Sequence, residues 1–164
     1  MKFIKEIIPY IIVIIIVVLI RSFIVTPIKV DGNSMNPTLI DGEIMLLNKM
    51  DDNYKRFDIV VVNYGNTKLI KRIIGLPGEH IKFVNNKLYI DNQVIEDVDL
   101  AIETSNFDIK ELNYDVIPDD SYFVMGDNRN NSTDSRIIGP IFKSDIVGKT
   151  RFILFPFNKF GTAE

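Results

Sequence analysis

FDIVVVNYGNTKLIKRIIG, residues 57–75, holds two apolar runs of strand length on either side of a Gly-Asn pair. FDIVVVNY (57–64) and TKLIKRIIG (67–75) are rich in β-branched residues, which suit a pleated, half-buried surface. Gly65-Asn66 supplies the tight reversal between them. Outward from this hairpin the same pattern repeats. EIMLLNK (43–49) precedes it, and HIKFVNNKLYIDNQVI (80–95) follows as a meander. Asn85-Asn86 and Asp91-Asn92 mark the meander's two turns, because both residue types tolerate φ > 0. SYFVMGD (121–127) and DIVGKTRFILF (145–155) complete a mostly antiparallel set. No segment of helical period and convincing length follows residue 25, and no internal repeat is visible. The polar stretch 96–115, EDVDLAIETSNFDIKELNYD, has weak periodicity and is expected to be a flexible excursion. The fold expected over 26–164 is mainly β, an antiparallel sheet or barrel-like domain.

The first twenty-five residues, MKFIKEIIPYIIVIIIVVLIRSFIV, differ in kind. No charge occurs between Ile7 and Ile20. As a helix that stretch alone spans roughly 21 Å, short of a hydrocarbon core of about 30 Å. The longer segment from Phe3 to Val25 reaches across if Lys5 and Arg21 snorkel to the interfaces. Pro9 falls in the first turns, where a missing N–H matters least. Lys2 and Lys5 before an apolar run also fit a cleaved secretory signal. The sequence that follows, RSFIVTPIKV, offers no pair of small residues for cleavage, so an uncleaved single-pass anchor over 1–25 is expected. The positive charges flanking the run are nearly balanced and fix no orientation.

Composition narrows the chemistry. The chain has 164 residues and is 46% apolar, enough for one domain with an appendage. Its formal net charge of −3 leaves no electrostatic footprint for nucleic acid. Cysteine is absent, which removes thiol nucleophiles, disulfides and thiolate zinc sites. A single histidine, His80, excludes any site built on two imidazoles.

Three stretches carry candidate chemistry. In DGNSMNPTL (31–39), Ser34 is either a turn residue or a nucleophile. In LIKRIIGLPGE (69–79), Lys71 shares a strand face with Leu69 and Ile73, while Arg72 shares the other with Lys68. A lysine among apolar neighbours loses solvation of its ammonium form, its pKa falls, and the neutral amine becomes a usable base. The bland alternative is a lysine that snorkels from the sheet edge. GDNRNNSTDSR (126–136) has the density of a self-satisfying polar network. As a calcium loop it is poor: counting from Asp127, Arg129 stands at position three, Ser132 at six and Ile138 at twelve. Around Ser34 there is no G-x-S-x-G elbow, since Asn36 occupies the second glycine position, and no S-x-x-K occurs in the chain. His80 follows a Pro-Gly turn among polar neighbours. A serine paired with a lysine distant in sequence is what remains.

These motifs resemble, in order, those of the bacterial type I signal peptidases, membrane-anchored Ser-Lys proteases. The resemblance spans nearly the whole chain: anchor, SMNPTL (34–39), RFDIVVV (56–62), KRIIGLPGE (71–79) and GDNRNNSTDSR (126–136). It implies that Ser34 is the nucleophile and Lys71 the general base. It further implies that Ser132 orients the lysine amine, with Asp127, Arg129, Asp134 and Arg136 as polar scaffold. Val30, Met35, Leu39 and Ile70 would help line shallow substrate pockets, or else be ordinary core. Gly32 departs from members that carry a side-chain oxyanion donor two residues before the serine. The substrates implied are secreted preproteins, cleaved at the outer face of the cell membrane in contact with lipid, without cofactor or metal. Two readings stand beside this one: a membrane-tethered β binding module, and a related Ser-Lys peptidase acting on a different protein.

Overall fold

The structure, a computed structural model, describes residues 2–96 and 103–163, excluding the side chains of 2–5 and 20–23. Its centre is the hairpin of the opening stretch. Strands β3 (Ile59–Tyr64) and β4 (Thr67–Gly75) pair antiparallel from Tyr64↔Thr67 to Ile59↔Arg72, so Gly65-Asn66 forms a two-residue loop, with Gly65 at φ 56°. The meander also forms as read. Strands β5 (Ile81–Val84), β6 (Lys87–Ile90) and β7 (Gln93–Ile95) are joined by Asn85-Asn86 and Asp91-Asn92, all four at positive φ.

Every pairing is antiparallel, and the strands make two sheets. The larger adds β1 (Val25–Lys29), β2 (Ile44–Asn48), β9 (Ser121–Met125), β10 (Ile141–Phe142), β11 (Ile146–Phe155) and β12 (Gly161–Thr162). Its order is β1-β2-β11-β3-β4-β9-β10, with β12 on β11. Among the described residues this is an open path rather than a closed barrel. Pro27 sits in an end strand, where a residue without an N–H is tolerated. The smaller sheet runs β7-β6-β5-β8, with β8 at Phe107–Asp108. An apolar cluster that includes Ile74, Phe83, Leu88, Phe107, Ile109 and Phe123 joins the two sheets.

Three expectations need adjustment. The excursion over 96–115 falls partly outside the described residues, but its second half is packed. Phe107 and Ile109 are buried, β8 pairs with β5, and Asp108 caps a 3₁₀ turn over Ile109–Leu112 through a capping box with Glu111. Two apolar anchors within a polar stretch suffice to fix it. The aromatic-rich tail RFILFPFNKF (151–160), which the sequence offers as the last core strand or else an interfacial contact, is a core strand only as far as Phe155. Ile153 is buried, whereas Phe155, Phe157 and Phe160 are exposed. At the N-terminus, α1 (Lys2–Phe23) is helical and contains Pro9. Among the described residues no helix is long and apolar enough to cross a membrane. The flanking Lys5 and Arg21 on which the expected span relied lie outside the described side chains.

Candidate active site

Ser34 and Lys71 are thirty-seven residues apart in sequence and meet in space. The Lys71 Nζ and the Ser34 Oγ are hydrogen-bonded at 2.6 Å. Lys71 comes from the middle of β4, where every residue from Ile70 to Gly75 is buried, and is itself only 2% exposed. It does not snorkel. Burial pulls its pKa down from the ordinary 10.5 to about 8, against the upward pull of the Asp134 and Asp127 carboxylates and with a small downward push from Arg136. An amine so placed is neutral in a useful fraction near physiological pH.

Ser34 rides on a loop closed at its base by Val30 N–H donating to the Glu43 carbonyl and Gly42 N–H to that of Val30. Inside the loop, Asn36 N–H donates to Asn33 O and Leu39 N–H to Met35 O. The Ser34 carbonyl accepts from Asn128 N–H at 3.0 Å, and the Asn128 side chain donates to Asn33 O, so the third motif grips the first. Among the described residues no hydrogen bond engages the Ser34 N–H. Gly32 lies at φ 87° with its N–H donating to Asp41 Oδ1. A side chain there has room but the wrong backbone, at a cost of roughly 1–2 kcal/mol. The loop conformation therefore accounts for this glycine.

The structure places Asp127, Arg129, Asp134 and Arg136 in hydrogen-bonded contacts, and leaves Ser132 outside them. Asp127, fully buried, receives Arg72 in two parallel hydrogen bonds, Nε to Oδ1 at 2.9 Å and a terminal nitrogen to Oδ2 at 2.6 Å. Asp134 caps the short helix α2 (Ser135–Ile138) and accepts from Gly126 N–H and from the Arg136 guanidinium. Arg136 also donates to the Arg129 carbonyl, while Arg129 donates to Thr104 and lies over the Phe83 ring. The Ser132 Oγ is buried without a hydrogen-bond partner, so the expected bond to the Lys71 amine is not made. It lies close beside Gly126: a Cβ on Gly126 would collide with the Ser132 hydroxyl and the Ser34 carbonyl.

Val30, Met35, Leu39 and Ile70 do gather, in one apolar cluster with Met45, Leu47, Ile59, Val61 and Ile153, each with little exposed surface. Met35 and Ile70 are the chain neighbours of Ser34 and Lys71, so this cluster begins beside that hydrogen-bonded pair. Sequence reasoning passed over Arg72, read as the outward neighbour of Lys71. The visible signal was a second cation in a strand too apolar to leave it solvated, with acids waiting in the third motif. It also passed over Gly126, whose need for close approach no spacing announces. His80 pairs with Asp108 on the smaller sheet and takes no part. Among the described residues no group of acidic or histidine side chains could hold a metal ion.

Comparison with known proteins agrees with this geometry. A family model described as "Signal peptidase, peptidase S26" matches residues 3–155. The chain is 42% identical over 161 residues to a "Signal peptidase I" of Bacillus amyloliquefaciens, covering 91% of this chain and 86% of the relative. It is 39% identical over 162 residues to "Signal peptidase I S" of Bacillus subtilis (strain 168), covering 91% and 87%. Among solved structures, a signal peptidase I from Enterococcus faecalis V583 aligns with TM-score 0.56 at 29% identity, over 59% of this chain and 96% of the other. Similarity along most of the sequence, together with a likeness in three dimensions, establishes that this chain belongs to the signal peptidase family, peptidase S26.

Proposed function

We propose that this chain is a serine endopeptidase that removes signal peptides from secreted preproteins, with Ser34 as nucleophile and Lys71 as general base. The observation that carries the proposal is a 2.6 Å contact between a hydroxyl and an almost fully buried amine. Lys71 in its neutral form takes the Ser34 proton as Oγ attacks the scissile carbonyl. The resulting ammonium returns that proton to the leaving amine, and an acyl-enzyme remains. The amine then activates water, and deacylation frees Ser34. The Ser34 N–H is available to the oxyanion, since no side-chain donor stands at Gly32. Ser132, whose buried hydroxyl has no hydrogen-bond partner, would hold the amine once Ser34 is acylated.

The substrate would pair in extended form beside the site. Val30, Met35, Leu39 and Ile70, which gather in one apolar cluster, would line shallow pockets that select by excluding bulk before the scissile bond. We further infer that residues 1–25 anchor the protein in the cell membrane as one span, with 26–164 as the catalytic domain on the extracytoplasmic face. The uncharged run from Ile7 to Ile20 and the exposure of the described α1 side chains support this. A tether of this kind would keep enzyme and membrane-inserted signal peptide on one surface. A pure binding module would have no use for a desolvated lysine on a serine hydroxyl. The relatives' names favour preproteins over another substrate.

The test is cleavage of a synthetic preprotein by the full chain in detergent micelles, with the cut mapped by mass spectrometry. Ser34→Ala and Lys71→Ala should each abolish cleavage with the far-UV spectrum intact. A Lys71→Ala enzyme that still turns over would refute the dyad.

A further inference from the structure

One buried carboxylate near Ser34 lies outside the three stretches that carry candidate chemistry. Glu43 is 3% exposed and sits where the Ser34 loop closes. Its two oxygens do different work. Oε2 accepts the backbone N–H of Ile40 at 3.1 Å, one residue beyond the turn that Leu39 closes onto Met35. Oε1 accepts Lys159 Nζ at 2.7 Å. Lys159 lies in a 3₁₀ turn (Phe157–Lys159) that follows β11, outside the region matched by the family model.

The segment that carries Lys159 is fastened on both sides. Phe152 and Phe160 meet edge to face at 4.9 Å, Gly161–Thr162 pairs with β11, and Ala163 N–H donates to Arg151 O. Ala163 also packs against the cluster containing Val30, Met35 and Leu39, which flank Ser34. Residues 156–163 thus form a clip over the nucleophile loop, and its one ionic tie is Lys159 to Glu43. A buried carboxylate left without its cation is costly, so the tie fixes where Glu43 sits and, through the Ile40 N–H, where the loop sits.

We propose that Glu43 is a positioning residue for the nucleophile, held by Lys159 of the clip. This rests on the reading of Ser34 as nucleophile. The clip sets the alignment of Ser34 with Lys71 without touching substrate. Misalignment of a reacting atom lowers turnover rather than binding.

The experiment measures kcat and KM of the full chain in micelles for Lys159→Met, Lys159→Arg, Glu43→Gln and the Glu43→Gln/Lys159→Met double variant, with Ser34→Ala as reference. Melting curves set the assay temperature below every transition. Lys159→Met should lower kcat on the order of tenfold while KM moves by less than about threefold. The acid limb of its pH–rate profile should stay in place, because neither Glu43 nor Lys159 is among the charges that act on the Lys71 amine. Lys159→Arg should restore most of the rate, and the double variant should be no worse than the worse single one, because both changes break one tie. The proposal is overturned by wild-type kcat in both Lys159→Met and Glu43→Gln, by a loss confined to KM, or by failure of arginine to rescue. If a single variant does not fold, the arginine and double variants decide by the same criteria. Cleavage by Ser34→Ala would instead sink the nucleophile assignment.

Discussion

At the scale of the residue, the proposed mechanism turns on Lys71. Its pKa of about 8 means that roughly a tenth of the amines are neutral at pH 7. The rate of cleavage should therefore climb close to tenfold per pH unit below about 8 and level off above it, as read from kcat/KM on a peptide substrate. The same burial costs stability. Below about pH 8 the amine is charged in both folded and unfolded chains, and the full cost is present. Between about 8 and 10.5 the unfolded chain holds a proton that the folded one has released, so stability rises with pH across that window. Lys71→Met should thus be inactive yet more stable at pH 7, by on the order of 2–3 kcal/mol in denaturant melts. Both outcomes follow from one desolvated nitrogen. Of this, the apolar neighbours of Lys71 were legible in the sequence, because strand alternation fixes which residues share a face. The depth was not, because it depends on burial of β4 on both faces from Ile70 onward.

At the scale of the element, the third motif holds the first two through the Asp127–Arg72 pair, caps and backbone grips, with no hydrogen bond from Ser132. Asp134 closes α2, holds the Gly126 N–H and faces Arg136, while its charge favours the ammonium form of Lys71. Asp134→Asn should move the acid limb of the pH–rate profile to lower pH. Asp134→Ala, which strips Arg136 of its carboxylate and the Gly126 N–H of its acceptor, should destabilise the fold by about 3–5 kcal/mol in chemical unfolding. An unchanged limb in the asparagine variant would detach this carboxylate from the base. The hairpin and the meander could be read from turn chemistry alone, since Gly-Asn, Asn-Asn and Asp-Asn each name a two-residue reversal. Strands β1, β8, β10 and β12 could not. Three of them are two residues long, and β1 contains a proline, so partners elsewhere in the chain create them.

At the scale of the whole molecule, α1 adjoins the sheet at β1, and its described side chains are exposed. Removing residues 1–23 should leave the melting temperature of the β domain within a few degrees. Turnover of a short soluble peptide should hold within a few-fold, while processing of a bilayer-embedded preprotein falls sharply. Loss of both activities alike would mean that the helix shapes the site itself. The sheet order has a further consequence. The hairpin flanking the serine loop, β1-β2, and the hairpin carrying the lysine, β3-β4, do not adjoin; β11 lies between them, though it is made some seventy residues after β4. The two hairpins are stitched together by a strand far downstream of both. A nascent or prematurely terminated chain that ends before Ile146 carries both reactive side chains but lacks the strand that brings their hairpins into one sheet. The serine and the lysine thus have no common frame until β11 is in place.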